Sequence, residues 1–420
     1  MNVIAQMHTA AERALLAVFD ERLGVLPGDG AVATKRDAAI EQLKTGLPTK
    51  RVEAWHYTDL RRLLTKVPDA PAGEAMPVAP LLDGSTVLTV LNGKVGKAGE
   101  IAGGVSATPI AELLRNGAFA PALGTHGYDD TVGALNAAFV SDGWFVDVPA
   151  GVELERPFEI QDVQAGGQVH VRSAVRVGEN AKVTIVQRET GSGPGLVSSV
   201  TNLLVGEGAE VLWLLVQDQP DDATHLGQFN AEIGKNAKLT VFVMNEGGKL
   251  VRQELRVKAA GEGADFQLRG VNLLAGDIHN DMTMVLDHAV PHTGSRELVR
   301  NIVTGKAHGV FQGRINVHQP AQKTDAKMAC NTLLLSDDGE FDTKPELEIF
   351  ADDVICGHGA TVTEIDKNHL FYLMARGVDE KSARGLLVKA FLAEVIEELE
   401  VEPVVEALEQ RLEAWFAAHV

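Results

Sequence analysis

Apolar and polar residues alternate regularly through the middle of this 420-residue chain, after a turn signal that recurs four times. Each copy has a glycine, then asparagine or glycine two residues later, then alanine. The copies begin at Gly178, Gly206, Gly234 and Gly261, at nearly constant intervals. Alternating apolar residues follow each turn and predict a strand there. The chain therefore contains a repeated two-strand unit.

A repeat at an interval of roughly 20–50 residues predicts a solenoid or a propeller. Propeller blades need about 40–50 residues, and the Leu-x-x-Leu-x-Leu pattern of leucine-rich repeats is absent. A parallel β-helix fits best, with coils stacked about 4.8 Å apart, and crossover chirality favours the right-handed form. The repeat fades after about residue 275, but strand-like segments continue as far as Phe350.

Helical spacing of apolar residues appears at both ends of the chain. Helices are predicted over 11–23 and 35–43, and Asp379 is a good N-cap for a helix near the C-terminus. Pro403 fits the first turn of a last helix. The predicted fold class is mainly β, a right-handed parallel β-helix core flanked by N-terminal and C-terminal helical domains, which we expect to cap its open ends.

The predicted domains are a mainly helical N-terminal domain with a linker, the β-helix core and a C-terminal helical domain. They cover residues 1–140, 141–362 and 363–420.

Composition narrows the function. The net charge of −20 and the absence of a basic run argue against nucleic-acid binding. No stretch approaches the ~18 apolar residues of a membrane span. The start Met1–Gln6 lacks the charged and apolar parts of a signal peptide, and two cysteines cannot form a disulfide framework, so a cytoplasmic protein is expected.

Candidate chemistry is concentrated at Cys356 and His358. In a strand, positions i and i+2 point to the same face, so thiolate and imidazole would lie side by side, and both suit zinc, copper and iron–sulfur species. Two ligands do not close a metal site, so others must come from elsewhere in this chain or from a second chain. If the coil period persists, Cys330 lies one coil below this pair; the alternative is an inert core thiol.

Other residues and motifs give weaker evidence about the chemistry of this protein. The histidines at positions 279, 288, 292, 308 and 318 are interpreted as turn or ladder residues. Phosphate-loop, Gly-x-Ser-x-Gly, Cys-x-x-Cys and His-Glu-x-x-His motifs are absent, so nucleotide hydrolysis is expected in another protein.

Several longer motifs occur between Asp277 and Thr361. They are Pro-His-Thr-Gly-Ser at 291–295, Lys-Thr-Asp-Ala at 323–326, Leu-Leu-Leu-Ser at 333–336, Asp-Thr-Lys-Pro-Glu-Leu-Glu-Ile at 342–349 and Ala-Asp-Asp-Val at 351–354 running into Cys-Gly-His-Gly-Ala-Thr at 356–361. With support from 51–58 and from the tail after residue 375, they resemble the SufB/SufD family of iron–sulfur cluster assembly scaffolds. By length the chain is more similar to SufD than to the longer SufB.

The resemblance implies a metal site whose remaining ligands come from a partner subunit. It implies pairing with a SufB-like subunit through the β-helix ends and a SufC-like ABC ATPase on the C-terminal helical domain. His358 would face a partner cysteine where a transient iron–sulfur cluster forms, with Cys356 beside it. The family has Cys-Ser-His where this chain has Cys356-Gly357-His358, and it gives Cys330 no role. Reduced flavin is associated with such complexes, but no flavin motif is recognisable here.

The predicted function is a non-catalytic scaffold subunit for iron–sulfur cluster assembly. Two alternatives stay open, a β-helix carbohydrate-active enzyme with carboxylates such as Asp325 and Asp342, and a purely architectural subunit without a cluster ligand. The sequence also leaves open whether the purified chain is a homodimer, which acceptor receives the cluster and whether flavin touches this subunit.

Overall fold

The computed structural model describes residues 8–71 and 73–419, so the start Met1–Gln6 lies outside the described residues. The helices are α1 Ala10–Arg22, α2 Gly30–Lys44, α3 Leu60–Leu63, α4 Ile110–Arg115, α5 Thr131–Phe139, α6 Lys367–Met374, α7 Glu380–Glu397 and α8 Glu402–His419. The strands before the repeats are β1 Thr86–Leu91, β2 Lys94–Ala98, β3 Ser106–Pro109 and β4 Trp144–Val148. The solenoid strands are β5 Phe158–Val177, β6 Lys182–Val205, β7 Glu210–Asp218, β8 Thr224–Ile233, β9 Lys238–Glu246, β10 Leu250–Ala259, β11 Asp265–Leu274, β12 His279–His288, β13 Gly294–Val303, β14 His308–Val317, β15 Asp325–Leu334, β16 Glu340–Ile349 and β17 Ile355–Glu364.

The core is a parallel β-solenoid of about eight turns, as the repeat predicted. Sheet 1 contains the first halves of β5 and β6 followed by β7, β9, β11, β13, β15 and β17. Sheet 2 contains their second halves followed by β8, β10, β12, β14 and β16. Strand β1 extends sheet 1 and β4 extends sheet 2, both parallel to β5. Strand β1 lies before residue 140 and β4 after it, and both pair with the solenoid strand β5. The domain boundary predicted at residue 140 stays a prediction.

The turn signal has a backbone explanation. Its third position is left-handed in all four copies, with φ between 53° and 74° at Asn180, Gly208, Asn236 and Gly263, a conformation that asparagine and glycine tolerate best. Its first position approaches the neighbouring coil closely, since a Cβ on Gly261 would lie 2.0 Å from the Lys235 nitrogen. The third position therefore needs a residue that tolerates a left-handed backbone. The first position needs a residue without a side chain, because the turns of neighbouring coils stack closely.

The repeat fades because the coils lengthen. Asp265 pairs with Gly294, Gly294 with Asp325 and Asp325 with Ile355. Each of these steps along the chain is longer than the interval between the earlier turn glycines. The extra residues enter the turns, while the strands stay in register. The interval between the early turns therefore does not predict which residues lie opposite one another in the last coils.

The helices cover the outer faces of the two sheets. Helices α1, α2 and α5 share a hydrophobic cluster with outward residues of sheet 2 such as Leu226, and α7 and α8 share one with outward residues of sheet 1 such as Phe242. The expectation that the C-terminal helices cap the end of the solenoid was therefore wrong. Strands such as β7, Glu-Val-Leu-Trp-Leu-Leu-Val-Gln-Asp, are apolar almost throughout because both their faces are buried.

The helix predictions hold with two differences. Helix α2 begins at Gly30, before the predicted residue 35, because Asp29 accepts hydrogen bonds from the first-turn amides. Helix α6 lacked a sequence signal and buries none of its residues. Within the described part of the chain, no helix combines the length and apolarity needed to cross a membrane.

Candidate rim site

The last coil of the solenoid is open. Strand β17 pairs with β15 alone, and β16 pairs with β14 alone, among the described strands. Both strands therefore present one edge of unpaired backbone groups. Pro345 removes a donor from β16, as is common in edge strands, whereas β17 has no proline.

Cys356 and His358 lie two residues apart on β17, at this open end. Cys356 pairs with Ala326 of β15 and His358 pairs with Met328. Ala326 and Met328 are buried in the lumen core, and Cys356 packs against that core. The two side chains therefore share the inward-facing side of the strand, as the spacing predicted. Cys356 is half-buried, and His358 is exposed with no hydrogen-bond partner among the described residues.

The surroundings favour the neutral thiol at Cys356. Partial burial raises the pKa of this thiol, and the carboxyl groups of Asp325 and Glu297 raise it further, while the Ala326 amide acts in the opposite direction. A metal ion that binds here must displace the thiol proton, so binding is coupled to proton release.

Cys330 does not belong to this pair. It lies one coil below, as proposed, but the register places it opposite Ala360 and four residues away from the position opposite Cys356. It is 1% exposed, accepts a hydrogen bond from Asn301 Nδ2 at 3.3 Å, and burial raises the pKa of its thiol to about 11. The error came from extrapolating a constant period, because the last coil is longer than the early ones.

Cys356 and His358 remain the two candidate metal ligands at the rim. Across residues 8–71 and 73–419, no group of three or more His, Cys, Asp and Glu side chains is placed to hold a metal ion. The flanking histidines have other partners: His279 contacts Thr58 at 2.9 Å, His308 contacts Asp342 at 2.8 Å and His318 contacts Asp287 at 3.3 Å. They are ladder residues, as interpreted.

Two buried residues below the rim escaped the sequence reasoning. Glu297 and Met328 lie in the same inward column as His358, since Glu297 pairs with Met328 and Met328 with His358. Burial raises the pKa of Glu297 to about 8. Only the register shows this column, because its three residues belong to three different coils.

The aromatic-rich segment 51–58 also has a structural role. Trp55 is fully buried, and the Arg252 guanidinium carbon lies 3.8 Å from its ring centre. Arg252 also donates to the Ala54 carbonyl at 2.7 Å, and Lys344 of β16 pairs with Glu53. The segment thus connects the N-terminal domain to sheet 2 as far as its last strand.

Comparison with known proteins assigns the family. The model of the SufBD core domain of the SUF system for FeS cluster assembly matches residues 159–391, more than half of the chain. The chain belongs to the SufBD family. The match includes both rim residues and most of the solenoid.

Full-length relatives agree with this assignment. The chain is 28% identical to an iron–sulfur cluster assembly SufBD family protein of Synechocystis, over 93% of this chain and 92% of that one. It is 28% identical to the iron–sulfur cluster assembly protein SufD of Escherichia coli, with coverage of 89% and 91%. A SufBD family protein of Mycobacterium leprae is 29% identical, with coverage of 86% and 88%. The chain is thus a SufD homologue in the SufBD family of iron–sulfur cluster assembly proteins.

Proposed function

We propose that this SufBD family member is a non-catalytic scaffold subunit that pairs with a SufB-like subunit through the open end of the solenoid. His358 is an iron or cluster ligand in this proposal, and Cys356 is a supporting thiolate. The transient cluster is the cargo of the complex, completed by donors of the partner. The observation that carries the proposal is a thiol and an imidazole on a strand with one free edge, with too few donors among the described residues to bind a cluster alone.

The rim has the features of a docking edge. Ile349, Phe350, Ile355 and Val362 are 40–66% exposed on or beside the two edge strands. An extended strand of a partner can add to β17 by main-chain hydrogen bonds, with these side chains buried in the contact. Such pairing would bring partner donors next to His358. The same edge allows a homodimer when the chain is purified alone.

The C-terminal helices offer a second surface. Phe371, Tyr372 and Met374 of α6 and Leu386 of α7 are 41–73% exposed, and we name these four residues the helical patch. Exposed apolar clusters commonly mark protein contacts. A SufC-like ABC ATPase docked on this patch would supply the ATP hydrolysis for which the chain has no motif. Reduced flavin stays unassigned to this subunit.

The test is His358→Ala in a complex co-expressed with SufB-like and SufC-like subunits. We expect the complex to assemble normally by size-exclusion chromatography, but anaerobic absorption spectra and iron and sulfide counts should show loss of most clusters. His318→Ala, at a half-exposed histidine of the same solenoid, is the matched control. Normal cluster yield from His358→Ala would refute the ligand role.

The alternatives give different results. A purely architectural subunit would keep its clusters when both Cys356 and His358 are replaced. A β-helix carbohydrate enzyme would bind or cleave acidic polysaccharide without a partner. Against the second alternative, Asp325 is paired with Arg296 at 2.7 Å and Asp342 with His308, so neither carboxylate is free.

A further inference from the structure

A row of three polar side chains crosses the outer face of sheet 1 in the last coils. Arg300 of β13, Asn331 of β15 and Thr361 of β17 lie directly opposite one another in register. The Arg300 guanidinium donates from Nη1 to Asn331 Oδ1, and Asn331 Nδ2 donates to Thr361 Oγ1 at 2.7 Å. Thr361 is three residues beyond His358 on the same strand. The row therefore reaches the rim strand close to its proposed ligand.

Helix α7 holds the other end of this row. Arg300 Nη2 donates to Glu394 Oε2 of α7 at 2.5 Å, and the guanidinium carbon lies 4.9 Å from the centre of the Phe391 ring. The Arg300 side chain is 11% exposed, so a carboxylate, an aromatic ring and an amide fix it together. Glu394 is mostly exposed, and an ion pair with an exposed carboxylate contributes little stability. The helix therefore supplies a fixed position for the guanidinium more than it supplies binding energy.

The chemistry of the donors sets the orientation of the Asn331 amide. An arginine side chain has donors and no acceptor, so Asn331 must turn its amide oxygen towards Arg300. The amide nitrogen of Asn331 then faces Thr361, and the Thr361 hydroxyl accepts its hydrogen bond. Each member of the row thus determines the direction of the next one.

We propose that Arg300 and Asn331 are positioning residues for His358, because they tie β17 to helix α7 through Thr361. Among the described strands β17 pairs with β15 alone, so no further coil holds it from the free side. Backbone pairing sets its register, and the row adds a fixed point on its outer face. A ligand on such a strand needs support from neighbouring side chains to keep its geometry. The inference rests on the proposed ligand role of His358.

The first experiment compares Thr361→Val with Thr363→Val by hydrogen–deuterium exchange of the β17 amides in the purified full chain. Valine keeps the β-branch of threonine and removes the hydroxyl. We expect exchange to be about fivefold faster in Thr361→Val, the factor that corresponds to one lost hydrogen bond. Thr361→Ser should restore the wild-type rate. Thr363→Val is the matched control and should leave the rate unchanged, because that hydroxyl bonds to the Glu364 carbonyl of its own strand at 3.3 Å.

The second experiment uses Arg300→Lys and the cluster assay. Lysine keeps the positive charge but lacks the planar fork that contacts Asn331 and Glu394 together. Exchange in β17 should therefore become faster, as in Thr361→Val. In the co-expressed complex both variants should assemble normally by size-exclusion chromatography. They should hold at least about twofold fewer clusters than Thr363→Val, because groups that orient a metal ligand affect metal affinity.

Two results would overturn the inference. One is an equal exchange rate in Thr361→Val and Thr363→Val, which would show that pairing with β15 alone holds the strand. The other is faster exchange with a normal cluster count, which would show that the order of β17 does not matter to the ligand. The proposed function fails separately. Normal clusters in His358→Ala would refute the ligand role, whereas unchanged exchange in Thr361→Val would refute the tie to α7 whatever His358 does.

Discussion

At the scale of single residues, Glu297 is the side chain whose chemistry the fold changes most. It is 2% exposed, and neither carboxyl oxygen has a hydrogen-bond partner of normal geometry. Burial therefore raises the pKa of this carboxyl from its usual 4.5 to about 8. The folded protein holds the Glu297 proton over a pH range in which the unfolded chain has released it.

This shift predicts a loss of stability as pH rises. The contribution of Glu297 is fully present below pH about 4.5 and is lost as pH rises towards about 8, because ionisation is disfavoured in the fold. Glu297→Gln should remove this dependence, so its free energy of unfolding should exceed that of the wild type by on the order of a few kcal/mol at pH 8.5. Urea unfolding at pH 5.5 and 8.5 measures the difference. Glu348→Gln, at a half-exposed position, should change little at either pH, and parallel pH profiles for wild type and Glu297→Gln would contradict the buried-carboxyl account.

At the scale of elements, the turns of the solenoid set the spacing of the coils. Gly261→Ala would place a Cβ 2.0 Å from the Lys235 nitrogen, an atom that cannot move without shifting the neighbouring turn. We expect a cost of about 1–3 kcal/mol in the free energy of unfolding. The control is Gly385→Ala in α7, where a Cβ meets nothing within 4 Å and should stabilise the helix by about 0.5–1 kcal/mol. Equal effects of the two changes in thermal unfolding would disprove the close-approach explanation.

Arg252 is a fully buried cation at the contact between segment 51–58 and sheet 2. Arg252 donates to Glu254 at 2.8 Å and pairs with Asp281, and both carboxylates are buried. Arg252→Gln would leave these charges uncompensated and should cost about 3–5 kcal/mol. Arg176→Gln breaks an exposed pair with Asp147 and should cost at most about 1 kcal/mol. Denaturant unfolding compares the two variants, and a similar small loss in both would show that the buried cluster is not needed.

At the scale of the whole molecule, the two proposed partner surfaces lie on different parts of the fold. The edge strand β17 is the last strand of the solenoid, and the helical patch lies on α6 and α7. The two contacts should therefore be separable by mutation.

Replacing both Phe371 and Leu386 by serine should weaken binding of the SufC-like ATPase at least about tenfold, since exposed aromatic anchors dominate such contacts. Association with the SufB-like subunit should be unchanged. Pull-down and titration with each purified partner measure the two contacts. Tyr128→Ser, at a residue that is 88% exposed in the N-terminal domain, is the control. Loss of both partners together would mean that the variant is misfolded or that the surfaces overlap.

The sequence correctly predicted the features that depend on residues close together along the chain. The turn residues Gly261 and Asn236, the N-cap Asp379 and the i, i+2 pair Cys356 and His358 all behave in the structure as their local pattern indicated. The position of Cys330 was missed because it depends on the length of turns between coils. The role of Trp55 was missed because its partner, Arg252, lies in a distant part of the chain.

The sequence by itself determined the repeat, the alternation within each strand and the terminal helices, because each is carried by spacing along the chain, and its motifs carried the resemblance to the family. The tertiary structure alone decided which strands have both faces covered, which residues share the column below His358, and that the C-terminal end of the solenoid stays open. The physical reason is that register between coils comes from backbone pairing of strands that are far apart in the sequence. A slightly longer turn leaves every local pattern intact but changes which side chains meet.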